Sequence, residues 1–285
     1  MKLSEAFLVY IESFVRPYQS QATVRQFQCA LKSLLHKNDP LLEELSQKMI
    51  IDWQQSKIRQ GTSPNTIRGY TEKLRKVLRY HKAIGSKCLS PELVHSPQKD
   101  EKNPEWLTPK EVCKLIRLAK ARHHGRSELS RLRSTAIIAT LYSTGLRISE
   151  LASLNREDIK NDSISIIGKN KKHRIIYLDR RSKTLICEYL KKRQDNNPAL
   201  FVSGQNNRID PNKIRETFRL ISNDFGKRVH PHSLRHSYAT NLLSNGCHIY
   251  TLQRLMGHSN IISTQQYLHI VDKDLEEAYK RYHTL

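Results

Sequence analysis

Four short segments in the second half of the chain carry the residue types needed for chemistry on a phosphodiester. They are TGLRISEL (144–151), GKNKKHR (168–174), HPHSLRHS (230–237) and LMGHSNIISTQQYLH (255–269). An arginine guanidinium can donate two hydrogen bonds to phosphate oxygens, and a tyrosine hydroxyl beside an imidazole can attack phosphorus. A lysine can protonate the departing sugar oxygen. Two arginines, a lysine, two histidines and a tyrosine therefore form a set that attacks a phosphodiester without a metal ion.

Each segment also has an ordinary structural interpretation when it is taken alone. Arg147 follows a glycine at the start of a predicted helix, where it can bind an anion or form a salt bridge to Glu150 or Asp158. The histidines of HPHSLRHS suggest a zinc site, but the sequence offers no acidic or thiol ligand nearby, and Arg235 would repel the ion. A tyrosine such as Tyr267 is commonly part of a core or a surface. Only the combination of segments favours catalysis.

The charge of the chain predicts a polyanionic partner. Its 285 residues include 49 lysines and arginines against 27 acids, a net charge of +22, and the basic excess is present both before and after residue 105. No apolar run is long enough to span a membrane, and acids interrupt the apolar N-terminal stretch, so no signal peptide is expected. The five cysteines are widely spaced without a CxxC motif, which predicts reduced thiols in a cytoplasmic protein.

The elements that must position the four segments fall into two predicted domains. Residues 1–84 show helical apolar periodicity, including a stretch from Leu41 to Ile58 and a helix beginning at Ser63-Pro64. Residues 85–105 lose this periodicity and predict a linker. Residues 106–285 predict a mixed domain that contains a β-hairpin over SISIIGKNKKHRIIYL and these helices: 181–193, 211–225, 232–245, 248–256, 261–269 and 273–282.

Two groups of basic residues are candidate DNA contacts. The first shares one face of the helix that begins at Ser63-Pro64 and comprises Arg68, Arg75, Arg79 and Lys82. The second lies in the hairpin turn and comprises Lys171, Lys172 and Arg174. Either group could instead be a solvated surface or a charged turn that keeps the hairpin edge soluble. In a chain this basic we include both groups as predicted phosphate contacts.

The four segments resemble the tyrosine recombinase (phage integrase) family, and most closely its compact Xer-like members, in their order and spacing. SPNTIRGYTEKLRKVLRYH is similar to the last long helix of the family's helical, SAM-like core-binding domain, and LTPKEV is similar to the start of its catalytic domain. The resemblance implies that Arg147 and Arg235 clamp the phosphate and that Lys169 is the general acid. It makes Tyr267 the nucleophile, with His232 and His258 as the two catalytic histidines.

Some neighbouring residues keep an open role. Lys171 and Lys172 are alternatives to Lys169, because the register of a hairpin turn can shift by a residue or two. His236 and His269 are interpreted as structural or flanking residues. No metal or other cofactor is expected, and the sequence contains no Walker loop for ATP.

The resemblance also implies a fold and a reaction. The fold is mainly α with a small β-hairpin: an all-helical core-binding domain and an α+β catalytic domain that together form a C-shaped clamp on DNA. Double-stranded DNA with short core sites is the expected partner, bound by a homotetramer or by a heterotetramer with a related recombinase, and the helix 273–282 is expected to dock on a neighbouring protomer. Strand exchange proceeds through a 3′-phosphotyrosine and a Holliday junction. A type IB topoisomerase-like activity and a non-catalytic DNA-binding role are the alternatives.

Overall fold

The computed structural model divides the chain into two compact units, Met1–Lys102 and Asn103–Leu285, here called unit 1 and unit 2. The residues it describes are 1–35, 38–100, 106–121, 127–159, 163–167 and 173–257, together with Thr264, Tyr267, Tyr279 and His283. Helices dominate both units and the described strands form one two-stranded sheet, which confirms the predicted mainly α fold with a small hairpin. None of the described helices is long and apolar enough to cross a membrane.

Unit 1 is helical, and serine side chains define where its helices begin. The helices are α1 (Leu3–Tyr10), α2 (Gln21–Leu34), α3 (Gln47–Arg59) and α4 (Pro64–Ala83). Ser20, Ser46 and Ser63 each accept a hydrogen bond from a backbone N–H in the first turn of α2, α3 and α4, which satisfies a donor that has no partner within the helix. The predicted start of α4 at Ser63-Pro64 is confirmed.

Two local features of unit 1 differ from the periodicity of the sequence. A π-helical turn, Ile11–Val15, continues α1, so the apolar series that begins in α1 crosses a change of helical pitch. Residues 41–46 form a β-bridge at Leu41, a turn over 42–44 and irregular backbone rather than the start of a helix, and α3 begins only at Gln47. Leu42 and Leu45 in this segment are nevertheless buried. The predicted helix from Leu41 to Ile58 was therefore too long at its start, because apolar side chains in turns mimic a helical stripe.

The described part of the predicted linker packs on unit 1. Val94 is 1% exposed and belongs to the unit 1 core, and Cys88 and Leu89 pack against that core. Gln54 donates a hydrogen bond to the carbonyl oxygen of His95 at 2.8 Å. This stretch thus runs along the helical unit up to residue 100, although it lacks helical periodicity.

Unit 2 is built around a helix that is buried on all sides. Its helices are α5 (Pro109–Ala121), α6 (Glu128–Thr144), α7 (Ile148–Ser153), α8 (Arg180–Lys191), α9 (Pro211–Phe225), α10 (Pro231–Ser244) and α11 (Ile249–Met256). Residues 134–141 of α6 are all buried, as expected for a helix without a polar face. Its buried hydroxyls remain satisfied, since Thr140 and Thr144 donate to carbonyl oxygens one turn earlier, at 2.7 and 2.6 Å.

The sheet of unit 2 is the predicted β-hairpin, β1 (Ser163–Ile167) and β2 (His173–Tyr177). The strands are antiparallel, and Ile166 lies opposite Arg174. Because side chains alternate between the two faces of a strand, Arg174 and Ile176 both point into unit 2 and are buried. The hairpin therefore carries an arginine on its inner face.

Candidate active site

The C-terminal ends of two helices meet around Arg235. This residue lies on α10 and is only 5% exposed. Its guanidinium donates hydrogen bonds to the carbonyl oxygen of Gly145, which ends α6, and to that of Met256 in the last turn of α11. Carbonyls at a helix C-terminus have no partner within the helix and carry partial negative charge. They hold the guanidinium in place and offset part of its charge.

Arg147 lies next to these helix ends as the residue that precedes α7. Its guanidinium donates to Oε1 of Glu150 at 2.9 Å and to the carbonyl oxygen of Gly257, which ends α11, at 3.4 Å. Its backbone N–H donates to Oε2 of Glu150 at 2.8 Å. One third of the side chain is exposed. The salt bridge between Arg147 and Glu150 that the sequence suggested is thus present, and it leaves one side of the Arg147 guanidinium open to solvent.

Glu150 connects Arg147 to Arg174 of the hairpin. Two nitrogens of Arg174 donate to the two carboxylate oxygens of Glu150 at 2.9 and 2.6 Å, and both side chains are buried. Burial raises the pKa of Glu150, but hydrogen bonds from Arg174 and Arg147 outweigh burial and lower the pKa to about 2. The carboxylate therefore stays ionised at neutral pH and fixes two guanidinium groups at once.

Two glycines make this close packing possible. Gly145 and Gly257 end α6 and α11 with φ of +61° and +62°, the left-handed conformation that favours glycine. A Cβ on Gly257 would lie 2.8 Å from Cδ of Arg174, and a Cβ on Gly145 would overlap the ring of Tyr238. The two glycine carbonyls that receive hydrogen bonds from Arg235 and Arg147 are therefore placed by backbone turns that other residues would strain.

The positive groups of the site repel one another. Burial, followed by the charge of Arg147, lowers the pKa of Arg235 to about 10. His232 is exposed on the first turn of α10, and its ring centre lies 6.4 Å from that of His230. Partial desolvation and the charges of His230 and Arg235 lower the pKa of His232. This imidazole is therefore mainly neutral at neutral pH, and the cluster as a whole favours an anion.

Tyr267 is buried and hydrogen-bonded to His236. It packs with α10 and α11, is 2% exposed, and its Oη lies 2.7 Å from Nδ1 of His236. Burial raises the pKa of Tyr267 to about 12, against a lowering effect of Arg235. Burial likewise lowers the pKa of His236 to about 4. Both groups are therefore neutral at neutral pH, so the hydroxyl of Tyr267 donates the hydrogen bond and Nδ1 of His236 accepts it.

The structure brings together the predicted catalytic residues that it describes. Arg147, His232, Arg235 and Tyr267 belong to one cluster, because the charges of Arg235 and Arg147 contribute to the lowered pKa of His232, that of Arg147 to the lowered pKa of Arg235, and Arg235 acts on Tyr267. Four further predicted site residues lie outside the described residues: Lys169, Lys171, Lys172 and His258. The predicted helices 261–269 and 273–282 also fall largely outside them.

Two residues of the cluster differ from what the sequence predicts. The sequence predicts a structural or flanking role for His236, yet this histidine contacts the predicted nucleophile Tyr267. Its position in the sequence, directly after Arg235, gave no signal, because a contact 31 residues away decides its environment. The sequence predicts Arg174 as a DNA contact in the hairpin turn, but Arg174 lies within β2 and its guanidinium donates hydrogen bonds to the carboxylate of Glu150. The sequence does contain a sign of this inward orientation of Arg174. Side chains alternate between the two faces of the strand HRIIY, so Arg174 lies on the same face as Ile176.

The predicted phosphate contacts of α4 lie in unit 1 and differ in their surroundings. Arg68, Arg79 and Lys82 are exposed, whereas Arg75 is half-buried. Arg75 donates to Glu72 at 3.1 Å, and Lys82 donates to Ser90 at 2.8 Å and approaches Glu92 at 3.4 Å. Arg68 and Arg79 therefore remain the more accessible positions for a phosphate.

The described residues offer no cluster of three or more histidine, cysteine or acidic side chains that could hold a metal ion. His230 and His232 lie near each other, but the surrounding arginines make the site positive, as the sequence suggested. That catalysis needs no metal remains a prediction.

Replacing Glu150 by glutamine should lower the free energy of unfolding of unit 2 by about 3 kcal/mol at neutral pH, because Arg174 is left buried without a counter-charge. Since the pKa of Glu150 is lowered to about 2 in the folded protein, its contribution is complete above its ordinary pKa and is lost as the pH falls toward 2. Urea unfolding followed by circular dichroism should therefore show the difference between the two proteins narrowing from pH 7 to pH 3.

The matched control is Glu128→Gln, which breaks the exposed pair between Glu128 and Lys192. An exposed pair contributes about 0–1 kcal/mol, so this variant should unfold close to the parent protein. Equal effects of the two variants would contradict a special role for the buried carboxylate.

The chain is similar in sequence to a family of known proteins, and the similar region includes this site. Residues 105–274 match the model of the Phage integrase family, which is more than half of the chain. The chain is 37% identical over 200 residues to tyrosine recombinase XerA of Pyrococcus horikoshii. The aligned region covers 67% of this chain and 65% of that protein. The match to XerA thus spans less than two thirds of that relative.

Two further matches cover more of the chain than the match to XerA does. The chain is 30% identical over 266 residues to a tyrosine recombinase of Pseudothermotoga lettingae. The aligned region covers 90% of this chain and 88% of that protein. Among solved structures, the Tn1549 transposon integrase in complex with transposon right end DNA is similar over 99% of both chains, with a TM-score of 0.81 and 18% identity. At that identity the similarity establishes the fold.

Proposed function

The chain belongs to the phage integrase family of tyrosine recombinases, and from this premise we propose that it is a site-specific recombinase that cuts and rejoins DNA through a phosphotyrosine. The observation that carries the proposal is the pair of guanidinium groups on Arg147 and Arg235. Both are held by fixed hydrogen bonds, and burial together with the charge of Arg147 disfavours the charged form of Arg235. Such an arrangement is costly unless an anion binds between or beside the two groups.

A phosphodiester is the anion that fits these groups. Each guanidinium presents N–H groups in a fixed plane that matches phosphate oxygens. The negative charge on those oxygens increases as the phosphorus becomes pentacoordinate, so fixed guanidinium groups stabilise the transition state more than the ground state. The buried anchors of Arg235 and the carboxylate of Glu150 keep both groups in place before the substrate arrives.

The proposed reaction has two steps that balance without an external energy source. Oη of Tyr267 attacks phosphorus and loses its proton to a neutral imidazole, for which His232 is the candidate. The bond from phosphorus to the 5′ oxygen breaks, and that oxygen takes a proton from Lys169. In the second step the 5′-hydroxyl of a partner strand gives its proton to the now neutral Lys169 and attacks the 3′-phosphotyrosine. The bond from phosphorus to the tyrosine breaks, and the tyrosine oxygen takes its proton back from the imidazolium. Two such rounds form and resolve a Holliday junction.

The proposed partners follow from this reaction. Double-stranded DNA with short core sites is the substrate, and strand exchange between two duplexes requires four active protomers, from this chain alone or with a related recombinase. We assign the protein to the cytoplasm, where its cysteines stay reduced. Arg68, Arg79 and the other basic residues of α4 are proposed to contact phosphates away from the cleaved bond.

Covalent trapping on nicked genomic DNA fragments of the source organism tests the proposal. When cleavage occurs next to a nick, the short strand that carries the 5′-hydroxyl diffuses away and the adduct cannot reverse. The protein is incubated with the fragments in EDTA and denatured, and the linked DNA is recovered and sequenced. A sample digested with protease before recovery serves as the control for DNA carried over without a covalent link.

Adducts clustered at one inverted-repeat sequence are the expected result. Scattered adducts would instead favour the type IB topoisomerase-like alternative. Tight DNA binding without any adduct would favour a non-catalytic DNA-binding role. Each outcome therefore selects one of the three functions.

A further inference from the structure

The side chain that caps the start of α10 differs in kind from those that cap most other helices of this chain. Serine or aspartate side chains accept a hydrogen bond from a backbone N–H in the first turn of six described helices: α2, α3, α4, α6, α8 and α9. At α10 the capping residue is His230, whose Nδ1 accepts from the backbone N–H of Ser233 at 3.0 Å. Hydroxyl and carboxylate oxygens accept hydrogen bonds throughout the neutral pH range, whereas Nδ1 accepts only while it carries no proton.

The cap of α10 is closed by a second hydrogen bond in the opposite direction. The backbone N–H of His230 donates to Oγ of Ser233 at 3.4 Å, and Ser233 is buried. A second histidine, His248, caps α11 with a longer hydrogen bond of 3.4 Å from the backbone N–H of Tyr250. Because the bond to His230 is shorter and is reinforced by the serine, α10 has the stronger of the two histidine caps.

Basic and imidazole groups approach His230 from three parts of unit 2. They belong to α9, to the turn between α9 and α10, and to α10 itself: Arg215, Arg219, Lys227, Arg228, His232 and His236. A proton on His230 would add a positive charge beside these groups and at the positive end of the helix dipole. Near neutral pH the surroundings therefore favour the neutral imidazole, which is the form that caps the helix.

The first turn of α10 carries a group that the proposed reaction uses. His232 is the second residue of the helix, and its ring centre lies 6.4 Å from that of His230. Arg235 lies further along the helix and is anchored separately, by its hydrogen bonds to the carbonyl oxygens of Gly145 and Met256. Loss of the cap would therefore release His232 while Arg235 keeps its place.

We propose that His230 is a positioning residue of the active site: its neutral imidazole holds the first turn of α10, and with it His232, and a proton on Nδ1 releases this turn. The inference rests on the proposed function and adds to it a pH dependence that arises outside the groups that react with DNA. An imidazole ordinarily takes up a proton as the pH falls through about 6.5. The cap therefore stabilises the folded protein above this range, and its contribution is lost as the pH falls below it.

Two substitutions separate the cap from its protonation. His230→Ser keeps a capping oxygen that does not titrate, whereas His230→Ala removes the cap at every pH. The unfolding temperature is measured by circular dichroism between about pH 8 and pH 5. At the upper end we expect the serine variant to match the parent protein and the alanine variant to unfold about 2–4 °C lower. At the lower end the serine variant should unfold about 2–4 °C above the parent, which has then lost its cap.

The rate of adduct formation on a nicked duplex at saturating DNA tests the effect on the site. Near pH 8 the serine variant should react at the rate of the parent, and the alanine variant should be slower by about tenfold. Toward lower pH the rate of the parent should fall more steeply than that of the serine variant. A charge effect alone has the opposite sign. Burial, followed by the charge of His230, lowers the pKa of His232, so without that charge His232 would take up a proton at higher pH.

The control variant is His173→Ser, which removes an exposed imidazole from the start of β2 without changing a helix cap. Its unfolding temperature should run parallel to that of the parent over the whole pH range. Parallel curves for His230→Ser and the parent would overturn the proposal, as would an alanine variant as stable as the parent near pH 8. A serine variant whose rate falls at higher pH than that of the parent would also overturn it. A parent that forms no adduct at any pH would reject the recombinase activity, and the unfolding temperatures would still decide whether a proton releases the cap.

Discussion

Tyr267→Phe should abolish the covalent adduct in the trapping assay while leaving duplex binding within about twofold of the parent protein. The substitution removes only the hydroxyl, and the ring still fills its place between α10 and α11. The lost hydrogen bond to His236 costs about 1 kcal/mol of stability, so the variant should remain folded. Adduct at the parent level would show that another residue is the nucleophile and would contradict the assignment of Tyr267.

The surroundings of Tyr267 indicate how its hydroxyl is handled before cleavage. The pKa of Tyr267 is raised to about 12 and that of His236 is lowered to about 4. Both shifts disfavour proton transfer from the tyrosine to this histidine in the resting site. His236 is thus a poor base for Tyr267, and its contribution is to hold and orient the hydroxyl.

Two substitutions of His236 separate orientation from proton transfer within the same assay. His236→Asn keeps a hydrogen-bonding group near the position of Nδ1 but cannot take up a proton, whereas His236→Ala removes both properties. If His236 orients Tyr267, the asparagine variant should form adduct at a rate close to that of the parent, and the alanine variant should be slower by about 10–100-fold. Equal slowing of both variants would instead indicate that His236 transfers a proton.

The sequence predicted the local features of this site because local chemistry determines them. Gly145 ends α6 in the left-handed conformation, and Arg147, two residues later, immediately precedes α7, as the segment TGLRISEL indicated. The hairpin was equally readable from its apolar alternation and its basic turn. Signals of this kind depend on residues within a few positions of each other, so one sequence contains all the information they need.

Features that depend on distant contacts were not predictable in the same way. The role of Arg174 follows from its pairing with Glu150, 24 residues away, and that of His236 from a contact with a tyrosine 31 residues away. The predicted helix over Leu41 to Ile58 failed at its start for a related reason, since the burial of Leu42 comes from packing rather than from a helix.

Arg235→Lys should reduce the rate of adduct formation at saturating DNA by about 10²–10³-fold. A guanidinium has five N–H donors, and Arg235 uses two of its nitrogens to bind the carbonyls of Gly145 and Met256. Its remaining donors are then fixed in one plane and available to phosphate oxygens. A lysine ammonium is a single point with three donors, so it cannot reach both helix ends and also align with a phosphate.

The control for this prediction is Arg254→Lys, a substitution of the same kind at an exposed position on α11. It should leave both the rate and the unfolding temperature close to those of the parent protein. Arg235→Lys should in addition lower the stability by about 1–3 kcal/mol, because a buried carbonyl loses its donor. A rate within tenfold of the parent would mean that a point charge is sufficient at this position. The fixed hydrogen bonds from two helix ends would then serve folding rather than catalysis, and the transition state would depend mainly on Arg147.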